Sequence, residues 1–137
     1  MQKEEIIECL TKFGYDYTVN GKSIDVKLGL SQTAIINFLE NDTIKVTDKL
    51  IGWNFLTGLI PMSLKTAIIY NSIIIIFTTY IVFISFLKVD NATPYLFLFT
   101  MLALFMIFFL IYYSIKLESF KIQLNSFLKK IYYIIFK

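Results

Sequence analysis

Two uncharged apolar runs fill the middle of this chain, and they limit its fold more than any other feature. From Thr66 to Leu87 no side chain is charged, and from Thr93 to Ile115 there is again none. At 1.5 Å per residue each run makes a helix of about 33 Å, enough to cross a hydrocarbon core of about 30 Å. The expected class is therefore an integral membrane protein with two passes, at 63–88 and 93–115, joined by an external loop at 89–92. The thirteen Ile, Leu, Val and Phe residues between Ile68 and Leu87 favour insertion by roughly 4 to 8 kcal/mol, before subtracting for Asn71 and the hydroxyls. Thr93 and Pro94 suit a helix start, with a capping hydroxyl followed by Pro at the first helical position. Tyr95 at one end and Tyr112 and Tyr113 at the other stand where interfacial aromatics belong.

Lysines near the spans set the orientation. Lys49 and Lys65 precede the first uncharged run, and Lys116, Lys121, Lys129 and Lys130 follow the second. The gap between the runs has only Lys88, beside Asp90. Both termini are accordingly expected in the cytoplasm, with the chain in the cell (inner) membrane. Residues 1–65 carry seven Lys against eight Asp or Glu, and residues 116–137 carry five Lys against one Glu. The mild acidity of the N-terminal part argues against a nucleic-acid partner. All basic residues are Lys and there is no His, a composition expected of an AT-rich, bacterial genome. Lack of His removes the commonest general base and metal ligand. The single cysteine, Cys9, excludes an internal disulfide. The charged start of the chain reads as no secretory signal.

Residues 1–62 have room for one small cytoplasmic α+β domain. A unit of about 60 residues buries only about 60% of its unfolded surface, so it is expected to lean on the bilayer, on the tail or on a second copy. Residues 3–12 read as an amphipathic helix, with Ile6, Leu10 and Phe13 on one face and Gly14 to close it. Tyr15 to Val19 and Ile24 to Leu28 alternate around Asn20-Gly21, a preferred hairpin turn. That turn sets Tyr17 opposite Ile24 and Tyr15 opposite Val26, and it opposes Asp16 to Asp25, an unfavourable like-charge pair. A second hairpin with a turn of Glu40, Asn41 and Asp42 matches Phe38 with Ile44 and Ile36 with Val46. Leu50 to Thr57, with the only Trp at Trp53, reads as a fifth strand or a membrane-skimming stretch. One helix on an antiparallel meander of four or five strands is a normal α+β layer arrangement.

The tail at 116–137 repeats apolar residues at steps of three and four: Leu117, Phe120, Leu124, Phe127, Ile131 and Ile134. It reads as a separate basic amphipathic helix. Three placements compete: flat on the membrane surface, in a coiled coil, or packed on the N-terminal domain. The first is the working expectation, with Lys116, Lys121, Lys129, Lys130 and Trp53 as membrane-surface contacts.

Asn71, Thr78 and Ser85 recur every seven residues and, with Ala67, Ile74 and Ile81, form a smaller, more polar face of the first span. Thr100, Ala103, Ile107, Leu110 and Ser114 make a similar face on the second. Such faces let helices approach and hydrogen-bond in lipid; the functional alternative is a pore lined by hydroxyls. Neither uncharged run, 66–87 or 93–115, contains a charged residue, which disfavours an ion or proton relay. Asp16 and Asp25 alone make a poor cation site, Cys9 has no His to activate it, and no phosphate-binding glycine loop exists. The two glycosylation patterns, at Asn41 and Asn91, read as chance. The order of elements is too generic to name a family. The expectation is a non-enzymatic membrane protein without a cofactor. Its cytoplasmic domain binds a protein partner (as adaptor, sensor or complex subunit) through the aromatic set Tyr15, Tyr17, Trp53 and Phe55. The alternative is a self-assembling, membrane-permeabilising effector or small channel subunit, active as a homo-oligomer.

Overall fold

The structure, a computed structural model, describes residues 2–39, 44–86 and 93–135. The elements are α1 (Gln2–Lys12), β1 (Tyr17–Asn20), β2 (Ser23–Gly29), β3 (Gln32–Phe38), β4 (Ile44–Leu50), α2 (Leu64–Phe86) and α3 (Thr93–Ile135). The turn expected at Glu40, Asn41 and Asp42, the loop expected at 89–92, and the side chains of Ser85 and Lys130 lie outside the described residues.

Helix α1 starts with Glu4 and Glu5 and ends on Lys12, charges that suit the helix dipole at both ends. It stops through a double backbone bond. Tyr15 N–H donates to Leu10 O at 2.9 Å and Gly14 N–H to Thr11 O at 3.1 Å. This closure needs a left-handed residue after the helix, and Gly14 supplies it with φ +69°.

The four strands form an antiparallel meander in the order β1-β2-β3-β4. The second expected hairpin has the register read from its sequence, Phe38 opposite Ile44 and Ile36 opposite Val46. The first is displaced by two residues. Tyr17 faces Val26 and Asn20 faces Ser23, so Gly21 and Lys22 form the turn. Gly21 has φ +55° while Lys22 is not among the positive-φ residues, a pattern that fits a type II′ turn rather than the expected I′. The displacement removes the like-charge pair. Asp25 now faces Thr18 and accepts from Asn20 Nδ2 at 2.8 Å, while Asp16 O accepts from Lys27 N–H at 2.9 Å. A slip of two keeps every side chain on its intended face, so the core is unaffected.

Ile24, Val26, Leu28, Ala34, Ile36 and Leu50 line the inner sheet face and join Ile6, Cys9 and Leu10 of α1 in one buried cluster. Leu117, Phe120 and Leu124 of α3 complete that cluster. The tail is thus not a separate helix on the membrane surface. It continues α3 without a break and packs on the domain, the third of the three placements. The cause is local: no Gly or Pro occurs between Tyr95 and Ile135 to end the helix, and the apolar stripe finds α1. Phe120 meets Tyr15 edge-on at 5.3 Å, Phe127 meets Phe13 at 6.4 Å, and Tyr15 Oη donates to Gln123 Oε1 at 2.7 Å.

Leu50 to Thr57 does not form a fifth strand. Past Leu50 the chain makes a compact loop, from Ile51 to Ser63, before Ser63 caps α2 by accepting from Thr66 N–H at 3.2 Å. Helices α2 and α3 are long and apolar enough to cross a membrane. Only 11% of the apolar window of α2 and 6% of that of α3 is buried within the chain, unlike the core helix of a water-soluble fold.

Candidate functional site: the junction between sheet and apolar helices

The most connected polar region lies where the sheet meets the two apolar helices. Leu30 and Ser31 form the β2–β3 turn with φ +46° and +65°. A left-handed conformation costs roughly 1–2 kcal/mol for a residue with a Cβ, so the turn is held from outside. Tyr113 Oη of α3 donates to Leu30 O at 2.8 Å, and Ser31 Oγ donates to Trp53 O at 2.7 Å. Next to it, Gln32 is buried and its Nε2 donates to Tyr113 O at 3.1 Å. Tyr113 is itself wholly buried. One α3 residue therefore touches the sheet through both its side chain and its carbonyl.

Helix α2 is tied in from the opposite edge. Asp48 of β4 accepts from Leu64 N–H at 2.7 Å, placing a carboxylate at the positive end of the helix. Leu50 N–H donates to Met62 O at 2.8 Å. Two turns further along, Asn71 is wholly buried, and its Nδ2 donates to Leu56 O at 3.0 Å and to Ala67 O at 2.8 Å. Gln32 Oε1 and Asn71 Oδ1 have no hydrogen-bond partner among the described residues.

The loop between β4 and α2 is organised by Asn54. Its Oδ1 accepts from Leu56 N–H at 3.0 Å and Thr57 N–H at 2.9 Å. Its Nδ2 donates to Gly52 O at 3.3 Å and Gly58 O at 3.2 Å. Phe55 projects between the helices. It stacks on Phe109 at 4.1 Å and meets Phe105 at 5.6 Å. With Ile74, Thr78, Ala103 and Met106 it lines an apolar cleft of about 230 Å³.

The residues singled out from the sequence are dispersed. Asn71 reaches the loop. Thr78 and Ala103 line the cleft. The hydroxyls of Thr78, Thr100 and Ser114 donate to carbonyls of their own helices, at Ile74, Leu96 and Leu110. Lys116 stands over the Tyr112 ring at 5.9 Å, Lys121 pairs with Glu118 at 2.7 Å, Lys129 is exposed, and Trp53 is 60% exposed. The aromatic set divides: Tyr15 packs on α3, while Trp53 meets Phe55 edge-on at 4.7 Å, Phe55 reaching between the helices and Trp53 staying outward. Gln32 and Asn54 carry no mark in the sequence that composition alone would rank, and Tyr113, expected as an interfacial aromatic, is instead wholly buried and bonded to the β2–β3 turn.

Among the described residues no three His, Cys, Asp or Glu side chains gather where they could hold a metal ion. Comparison of the chain with protein-family models, curated proteins and solved structures finds no match. The geometry therefore defines a class by itself: a small α+β domain fastened to a pair of apolar helices.

Proposed function

We propose that this is a non-enzymatic, two-pass protein of the inner membrane that mounts a cytoplasmic domain for binding a protein partner. The lysine distribution around the spans supports this orientation. Because α1 packs on the far half of α3, both chain ends share one side of any bilayer that α2 and α3 cross. The observation that carries the reading is the uncovered sheet. One face is sealed by α1 and α3, while Asp25, Lys27, Thr33, Ile35 and Thr47 point the other way, with no described element over them. At the end far from the junction, Asn20, Lys22, Asn37, Lys45 and Thr47 border an open hollow of about 430 Å³. Edge strand β1 also leaves its outer hydrogen-bonding groups unpaired by another described strand, which suits strand addition by an incoming segment.

Burial of Asn71 inside a single chain, and the hydroxyls bonded to their own helices, support anchoring over a hydroxyl-lined pore. A photo-crosslinking residue at Asn37 or Lys45 in native membranes should give a discrete protein adduct, and one at Ile76 of α2 should not. If the positions on the sheet yield no adduct, or if every position yields the same one, the reading is lost.

A further inference from the structure

We infer that the loop from Ile51 to Pro61 is a third membrane-embedded element, a wedge whose occupied surroundings are lipid acyl chains. The inference rests on the reading that α2 and α3 span a bilayer.

Depth is the first argument. Asn71 lies seven residues after Leu64, so at 1.5 Å per residue its Cα is about 10 Å along α2 from the start of that helix. The loop precedes α2 in the chain, yet Leu56 O sits 3.0 Å from Asn71 Nδ2. The chain therefore turns down beside the span rather than away from it. On α3, Phe55 meets Phe105, which is about 15 Å along the helix from Ile115. Both helices thus place Phe55 beside their uncharged stretches.

Chemistry is the second. No charged residue occurs from Leu50 to Leu64. Leu59 is 74% exposed and Trp53, Ile60 and Ile51 are each about half exposed or more, so the loop turns its apolar side chains outward. In water that is a cost; Ile73 of α2 and Phe108 of α3 are exposed too, so loop and helices alike turn apolar side chains outward.

Backbone closure is the third. Irregular chain survives at membrane depth only if its polar groups are satisfied by protein. Here the carbonyls of Gly52, Trp53, Asn54, Leu56, Thr57, Gly58 and Ile60 each accept a hydrogen bond, from Asn54, Ser31, Gly58, Asn71, Ile60, Asn54 and Thr57 respectively.

The test uses the full chain in phosphatidylcholine vesicles and the single Trp. Emission is measured against lipids brominated at different depths of the acyl chain and against aqueous iodide. Trp53 should be quenched by shallow bromines and shielded from iodide. In Trp53→Phe/Leu59→Trp, the reporter should again be quenched by bromolipid and shielded from iodide. A further variant, Trp53→Phe/Ile76→Trp, reports on the span itself, because Ile76 is exposed near the middle of α2. If that reporter is quenched by deep bromines while those at 53 and 59 respond only to iodide, the wedge is refuted and the spans stand. If none of the three responds to bromine, the spanning reading fails with it. Shielding of 53 and 59 from both quenchers means that protein, not lipid, covers the loop, and also overturns the inference.

Discussion

Replacing Asn54 with Ala should loosen the junction, and the size of the effect follows from the bonds that disappear. Asn54 is 2% exposed. Truncation removes the acceptor for Leu56 N–H and Thr57 N–H. Gly58 O keeps the Asn54 backbone donor at 2.9 Å, and Thr57 Oγ1 keeps Ile60 O at 2.8 Å, so the main debt is two buried amides. An unsatisfied buried donor costs about 1–3 kcal/mol, giving about 2–6 kcal/mol for the pair. A loop can avoid that by detaching locally, which caps the loss at the free energy of local opening. The two outcomes are separable because the only Trp lies next door. Denaturant unfolding in mild detergent, followed by Trp53 emission and by far-ultraviolet circular dichroism, should give coincident transitions in the parent. In Asn54→Ala the emission transition should move to lower denaturant ahead of the helix signal, or both should fall together by at least about 2 kcal/mol. Thr57→Val offers a control, since Thr57 Oγ1 lies 2.8 Å from Asn54 Nδ2; the two substitutions should be non-additive by roughly 0.5–3 kcal/mol. A shift below about 1 kcal/mol in both signals, or strict additivity, would refute the account of how this loop is held.

Two further outcomes concern the domain. Phe120→Ala removes a 1% exposed ring that joins α3 to α1, and should cost about 3–5 kcal/mol; limited proteolysis should then cut near Lys12 in the variant but not the parent, and equal resistance would contradict the packing of the tail. Burial raises the Cys9 thiol above its ordinary value, with Lys12 partly opposing. The folded state therefore holds the proton that the unfolded chain releases. Stability is unaffected below the ordinary thiol value of about 8.5 and falls as pH climbs from there through the raised folded value. Burial shifts Tyr15 in the same direction, higher on the scale. Cys9→Ala should flatten the first part of that decline in denaturation experiments across alkaline pH, and an unchanged slope would count against a buried thiol.

Much of the architecture could be read from side-chain pattern because its causes are local. Uncharged length marks α2 and α3. The β3–β4 register follows from matching Phe38 with Ile44 and Ile36 with Val46 on a common face. The β1–β2 register departs from the Asn20-Gly21 turn because the observed pairing avoids the Asp16–Asp25 repulsion that turn would create. Charge ends a span but not a helix, so α3 continues through Lys116 to Ile135 rather than giving way to a separate tail helix. The loop at 51–63 was illegible for a different reason. Its order comes from Asn54 bonding backbone a few residues away and from Asn71, fifteen positions beyond Leu56, and neither leaves a periodic trace.

The uninterrupted length of α3 has a mechanical consequence. Forty-three residues make a rod of about 64 Å; in the two-pass arrangement proposed above, about 30 Å of it extends past the hydrocarbon. A span adjusts its tilt when the surrounding bilayer thins or thickens. With no flexible joint between the two halves, a change of about 10° swings the distal end by about 5 Å. Helix α1 packs on that end and covers the inner sheet face, so in the proposed arrangement the thickness of the surrounding lipid is passed on to the position of α1 and of the strands it covers.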